Sequence, residues 1–403
     1  MKRQLKAVAR RALGREEWIP LLESDRFGFD ARWDLTAAEV DANARSLEPW
    51  RAADDFQIRT IQWLVPAFDH AAYGGIHTIL RFADGFARHG AANRFHLYDA
   101  TAPGQPEAIA QRIAAAFPSL AGAPVTGAAD LGVLPPCDAA IATFWPTAYV
   151  LARLHQARSK FVFVQDRESG FYPAGAAAAL AEQTLRLGFP AIVNSPALEG
   201  VAGDGPSVTF TPSVDTGLYR PPAEPRPGRP FRLVIYARPS AIRNAFGLGL
   251  ATLRRVKEAY GDRVELLAAG EEWDPRRFHV EGVVRNLGLL PDLPAVAELY
   301  RSCHAGLFFM MTPHASYQPL ELMASGAACV SNESATTGWL LEHERTALLA
   351  PPLASLVADQ VGRLIDDPAL RDRLAAAGRE RVCALPAWDG EIDRVWAFMT
   401  KAL

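Results

Sequence analysis

Cysteine is scarce and scattered. Cys137, Cys303, Cys329 and Cys383 are the only four in 403 residues, and they form no CxxC pair and no Cys/His ligand spacing, which excludes a disulfide framework and a zinc module. Three of them lie in apolar runs, where a free thiol behaves as a small hydrophobe, the pattern expected in a reducing cytoplasm. No metal site is expected. No run of 18 or more apolar residues occurs, which argues against a transmembrane helix, and the N-terminus lacks the apolar stretch and cleavage site of a secretory signal. An excess of one charge is missing too. Lys plus Arg number 42 against 45 Asp plus Glu, a formal net charge of -3, which gives no reason to expect nucleic acid as a partner.

What is present is 49% hydrophobic residues with 22% charged, enough for two sizeable cores at ~100–200 residues per domain. The opening MKRQLKAVARRALGR puts Leu5, Val8, Ala9 and Leu13 on one helical face, with Lys2, Arg3, Lys6, Arg10, Arg11 and Arg15 around it. A basic helix over residues 2–15 fits either an anionic membrane surface or a solvated terminus. Residues 1–57, with Trp18, Trp33 and Trp50, read as an extension packing on the domain that follows.

From residue 58 strands and helices alternate: IQWLVPAF, then GGIHTILRFADGFARHG, RFHLYDA, GQPEAIAQRIAAAFP, CDAAIATFW and onward to SVTFTPSVD. This pattern implies right-handed crossovers and a mainly parallel sheet covered on both faces. Residues 58–222 form the first lobe on this reading. The run RPPAEPRPGRP carries five prolines, and a linker is expected at 223–230. A second alternation fills 231–385, with strands at FRLVIYAR, VELLAAG, VVRNLGLL and AGLFFMM, and a final helix in 386–403 is expected to return to the first lobe. The fold class is α/β: two Rossmann-like, doubly wound lobes whose sheets meet end-on across a cleft.

Polar loops at strand ends carry the candidate chemistry. In YARPSAIRNAFG, Arg238 and Arg243 follow the first strand of the second lobe, with Asn244 at the start of a helix. Two guanidiniums beside free helix amides suit a diphosphate, although two surface arginines would give the same text. Gly74 and Gly75 sit at the equivalent place in the first lobe and clear room for a ligand or the opposing lobe. In TPHASYQPLELMASG, His314, Ser316, Tyr317 and Gln318 precede Pro319 in the first helical turn, and Glu321 offers a carboxylate to ligand hydroxyls. FVQDRESGFYP supplies Gln165, Asp166 and Glu168 at the end of a first-lobe strand, with Asp166 as a carboxylate for a ligand's hydroxyls. Asn194 and Ser195, and Thr336, Thr337 and Trp339, are weaker cleft candidates.

These stretches, in this order, resemble the retaining GT-B glycosyltransferases of family four. YARPSAIR is similar to that family's arginine and lysine pair, with Arg243 in the place of the lysine. FTPSVDTGLYRP and LGLLPDLPAVAELYRSCHAGLFFM look like the stretch before its linker and the run into its donor loop. The chain departs from the pattern at Pro313, which stands where the first of two glutamates is usual, while Glu321 matches the second. The combination with FVQDRESGFYP and WLVPAFDHAAYGGIHTILRFA is most similar to the WsaF-type rhamnosyltransferases. That resemblance implies a metal-independent, retaining transfer of L-rhamnose from dTDP-L-rhamnose to a surface polysaccharide on a lipid carrier. It implies Arg238 and Arg243 on the leaving diphosphate, thymine against Gly288, Leu289 and Leu290, and Glu321 on the ribose hydroxyl. A UDP- or GDP-sugar donor, or a non-catalytic glycan-binding pair of lobes, are the competing readings.

Overall fold

The computed structural model describes residues 34–401 apart from 73, 204, 315, 335 and 336. The basic helix expected at 2–15, Trp18, Trp33 and Thr336 lie outside the described residues. The first element, α1 (Ala37–Ala52), starts at a capping box: the Thr36 hydroxyl accepts from the Glu39 amide at 3.3 Å, and the Glu39 carboxylate accepts from the Thr36 amide at 2.8 Å. Its far end is anchored by buried Trp50, whose Nε1 donates to the Met399 carbonyl at 2.8 Å.

The first sheet has seven parallel strands, β1 (Thr60–Val65), β2 (Ala92–Leu97), β3 (Val125–Thr126), β4 (Cys137–Ala142), β5 (Ala157–Val164), β6 (Ala191–Asn194) and β7 (Ser207–Phe210), in the order β3-β2-β1-β4-β5-β6-β7. Helices α2 (Gly74–Arg88), α3 (Gln105–Ala116), α4 (Trp145–Arg153) and α5 (Ala176–Thr184) connect them. The second sheet is six parallel strands in the order β10-β9-β8-β11-β12-β13: β8 (Phe231–Ala237), β9 (Val264–Gly270), β10 (Arg285–Asn286), β11 (Ala305–Leu307), β12 (Ala328–Asn332) and β13 (Leu348–Ala350). Its helices are α6 (Phe246–Tyr260), α7 (Leu293–Ser302), α8 (Tyr317–Ala324), α9 (Ala354–Asp366) and α10 (Pro368–Cys383). The central strands are buried along almost their whole length, as parallel strands covered on both faces must be.

Strand order reverses between β1 and β4 in the first sheet and between β8 and β11 in the second. A crevice opens at the carboxyl end of such a switch point because the flanking loops leave in opposite directions. Both crevices face the same cleft.

The proline-rich run is held to the second lobe. Arg226 donates to the carbonyls of Arg301 at 3.0 Å, Gly326 at 2.8 Å and Ser325 at 2.7 Å, and Tyr219 packs in the core around Tyr300 and Leu322. The crossing between lobes therefore lies ahead of the prolines, after Phe210. A second crossing precedes α11 (Trp388–Thr400), whose Ile392, Val395 and Met399 are buried in the first lobe's core. Among the described residues, no helix is long and apolar enough to cross a membrane.

Candidate functional site

A cavity of about 510 Å³ lies between the lobes, within the size range of ligand pockets. The first lobe lines it from the loops after β1, β4, β5 and β6. The second lobe contributes the loop after β8, the end of β9, the loop after β10, the start of α7, and His314, Ser316, Tyr317, Gln318 and Glu321. Among the residues expected from sequence, Gly74, Gly75, Gln165, Asp166, Glu168, Asn194, Arg238, Arg243, Asn244, Leu289, Leu290, His314, Ser316, Tyr317, Gln318 and Glu321 all border it.

Arg243 leans across the cleft. It rides on a short 3-10 turn, Ile242–Asn244, and α6 begins only at Phe246, after Ala245 at φ 51. Asn244 therefore precedes the helix by a turn instead of opening it, a correction to the sequence reading. The Arg243 guanidinium sits 4.4 Å from the centre of the Phe171 ring, and its Nε lies 3.2 Å from Asp166 Oδ2. Phe171, although inside the FVQDRESGFYP stretch, was given no role from sequence. An aromatic face is a natural seat for a guanidinium, and the partner it serves is 72 residues away in the chain. Arg238 lies beside it on the second lobe, its Nη1 donating to Tyr236 Oη at 3.4 Å and its Nε 4.0 Å from Glu271 Oε2.

Asp166 is buried, with a side chain only 6% exposed, and His314 Nδ1 stands 3.9 Å from the same Oδ2. His314 is tied down by the Thr312 carbonyl at 3.0 Å, and burial holds its pKa below the ordinary histidine value. Glu168 accepts from the Trp145 amide at the start of α4, at 2.6 Å. Burial pushes Glu168 up to about 8 against the pull of that amide, and the Asp166 charge adds to the rise. Near neutral pH it is mostly a neutral carboxyl that can donate as well as accept.

Tyr317 is the largest departure from the sequence reading. It borders the cavity, yet its ring reaches into the first lobe, where its Oη pairs with Thr78 Oγ1 at 2.6 Å and accepts from Asn194 Nδ2 at 3.4 Å. The bare Gly74 makes this possible, since a Cβ there would lie 2.9 Å from Tyr317 Cδ2. Gln165 continues the network by donating to the Gly75 carbonyl at 3.1 Å. Gly74 and Asn194 thus meet Tyr317 of the opposing lobe, while Gly75 and Gln165 pair within the first lobe.

Other positions differ from the sequence reading. Gly288 does not border the cavity: its amide is taken up by Asn286 Oδ1 at 3.0 Å, and its carbonyl accepts from Gly270 at 2.9 Å. Its φ of 66 and the proximity of Glu272, with which a Cβ would collide, explain the glycine. Leu289 and Leu290 beside it do line the cavity. Thr337 is buried away from the cavity, where its hydroxyl donates to the Ser334 carbonyl at 2.8 Å, and Trp339 packs on the second lobe's core. Glu321 borders the cavity as expected, and burial pushes it up to about 8 against the pull of the Tyr219 hydroxyl. Ser195 is fully buried at φ 86.

Residues 231–361 match the family described as WsaF, C-terminal domain. Over 373 residues, 90% of its length, the chain is 43% identical to the O-antigen biosynthesis protein RfbC of Myxococcus xanthus, of which it spans 29%. Among solved structures, a sucrose-phosphate synthase from Thermosynechococcus elongatus superposes with a TM-score of 0.64 at 18% identity, over 84% of this chain and 97% of that one. Anabaena HepE in complex with UDP and glucose gives 0.62 at 15% identity, over 86% and 100%. The two facing lobes are therefore a GT-B glycosyltransferase fold, and the chain resembles WsaF, whose C-terminal domain family matches residues 231–361.

Proposed function

We propose that the chain is a glycosyltransferase of surface-polysaccharide assembly, acting in the cytoplasm, which moves L-rhamnose from dTDP-L-rhamnose to an oligosaccharide or lipid-linked acceptor. The observation that carries this reading is Arg238 and Arg243 projecting from one loop of the second lobe into a cavity shared with the first. The leaving diphosphate gains negative charge, and fixed guanidiniums stabilise it without reorganisation and without a metal. The bond from the sugar's anomeric carbon to the phosphate oxygen breaks on the face where the acceptor oxygen bonds, and the acceptor's proton passes to the departing phosphate, giving retention. The likeness to an O-antigen biosynthesis protein supports a polysaccharide product, and the resemblance of the sequence motifs to the WsaF-type rhamnosyltransferases supports rhamnose. Glucose from UDP is the second donor to test, because HepE holds UDP and glucose in the same fold.

A transfer assay with dTDP-L-rhamnose, UDP-glucose and GDP-mannose on rhamnose- and glucose-terminated acceptors decides among them. Turnover confined to dTDP-L-rhamnose is expected. Turnover of a UDP- or GDP-sugar alone would replace the donor, and binding of glycan with no turnover of any donor would overturn the transferase reading.

A further inference from the structure

The Arg243–Asp166 contact pairs a buried carboxylate, 6% exposed, with a guanidinium side chain that is 33% exposed. The charges approach to 3.2 Å and come from opposite lobes, yet Arg243 Nε and both Asp166 oxygens make no hydrogen bond of good geometry, although each is shielded from solvent. Buried charges in this condition are costly until a ligand completes them. The cation wants an anionic oxygen, while the carboxylate wants hydrogen-bond donors, and both border one cavity. No single small anion serves both.

We infer that Asp166 is a specificity-determining residue that selects a nucleotide sugar over the bare nucleotide by exchanging its hold on Arg243 for the sugar's hydroxyls. The inference rests on the diphosphate assignment made above. In the ligand-free protein Asp166 stands in for the missing phosphate. A nucleoside diphosphate alone takes Arg243 and strands Asp166 beside its own negative charge. A nucleotide sugar takes Arg243 with its phosphate and satisfies Asp166 with hydroxyl donors, so the penalty disappears. A product that has lost its sugar is thereby held less tightly than the substrate.

The test is calorimetric titration of the full chain, wild type and Asp166→Asn, with dTDP and with dTDP-L-rhamnose, and with UDP and UDP-glucose as the second pair. Asp166→Asn is expected to bind the bare nucleotide about tenfold more tightly, and the advantage of nucleotide sugar over nucleotide should shrink by about the same factor. Asp292→Asn, which removes another carboxylate bordering the cavity, should leave that ratio unchanged. Asp166→Ala repeats the measurement should the amide disturb folding. A ratio unaltered in both Asp166 variants, or equal weakening of both ligands, would overturn the inference while leaving the diphosphate site standing. Absence of binding by the wild type to any of the four ligands would overturn the diphosphate assignment and this inference together.

Discussion

At the scale of single residues, charge placement decides what each group can do. If Arg243 meets a departing diphosphate, its effect is largest as charge builds, so Arg243→Ala should lower kcat more than it weakens donor binding, by about 10²–10³. Arg243→Lys should recover part of that loss, because a point charge survives even though the seat on Phe171 is poorer. Steady-state kinetics with the accepted donor check this, and an unchanged kcat in the alanine variant would remove Arg243 from the reaction. The buried carboxyls give a separate prediction. Glu168 and Glu321 are both raised to about 8 from 4.5, so between those values the unfolded chain has released protons that the folded one keeps, and stability falls as pH rises. His77 and His96, lowered to about 4 by burial, and His304 and His314, lowered by burial as well, act oppositely, with an effect that grows as pH falls toward 6.5. From pH 8 down to about 7 the carboxyls outweigh them. The melting temperature should rise over that window, and Glu168→Gln should flatten the slope; a slope equal to wild type would show that Glu168 does not titrate there.

Among the elements, the alternation of strands and helices was legible because each parallel strand is a short apolar run bounded by turn residues. The ends were less so, for reasons visible in the bonding. AGLFFMM reads as a strand through Met311, but β11 stops at Leu307, and Asn332 takes over the Met310 backbone with its side chain, accepting from the amide at 2.8 Å and donating to the carbonyl at 3.0 Å. SVTFTPSVD stops at Phe210 because the Thr211 amide turns to Glu391 at 2.7 Å, in α11. VVRNLGLL yields only Arg285–Asn286, since the chain turns at Gly288. The loops that build the cavity could be picked out by their polar residues at strand ends. Which of those residues face a ligand and which face the other lobe could not, because Tyr317, Asp166 and Arg243 find their partners across 72 residues or more. Helix α11 carries the clearest energetic prediction at this scale. Ile392 is 1% exposed in the first lobe's core, so Ile392→Ala should cost about 2–5 kcal/mol by urea unfolding. A loss under about 1 kcal/mol would mean that α11 is only loosely attached, since even a single buried methylene is worth ~0.8 kcal/mol.

For the whole molecule, the lobes meet through few polar contacts, with Tyr317 prominent among them. Its ring stacks near Trp388 of α11 at 6.4 Å, while its hydroxyl bonds into the first lobe. Tyr317→Phe keeps the ring and removes the hydroxyl, which should cost about 0.5–1.5 kcal/mol and increase the radius of gyration seen by solution scattering as the lobes part. A scattering profile identical to wild type would assign the closure to other contacts. Because α11 belongs to the first lobe, that lobe is discontinuous in the sequence, whereas the second runs unbroken from Tyr219 to Cys383. Synthesis on the ribosome therefore makes the earlier lobe wait for the later one: its seven strands are all translated before the second lobe begins, yet Phe82, Phe86 and Phe210 lack their cover until Trp388 and Trp396 emerge. The second lobe can reach its native state first, and the nascent first lobe, with aromatic surface still bare, is the stage at which a chaperone would be needed.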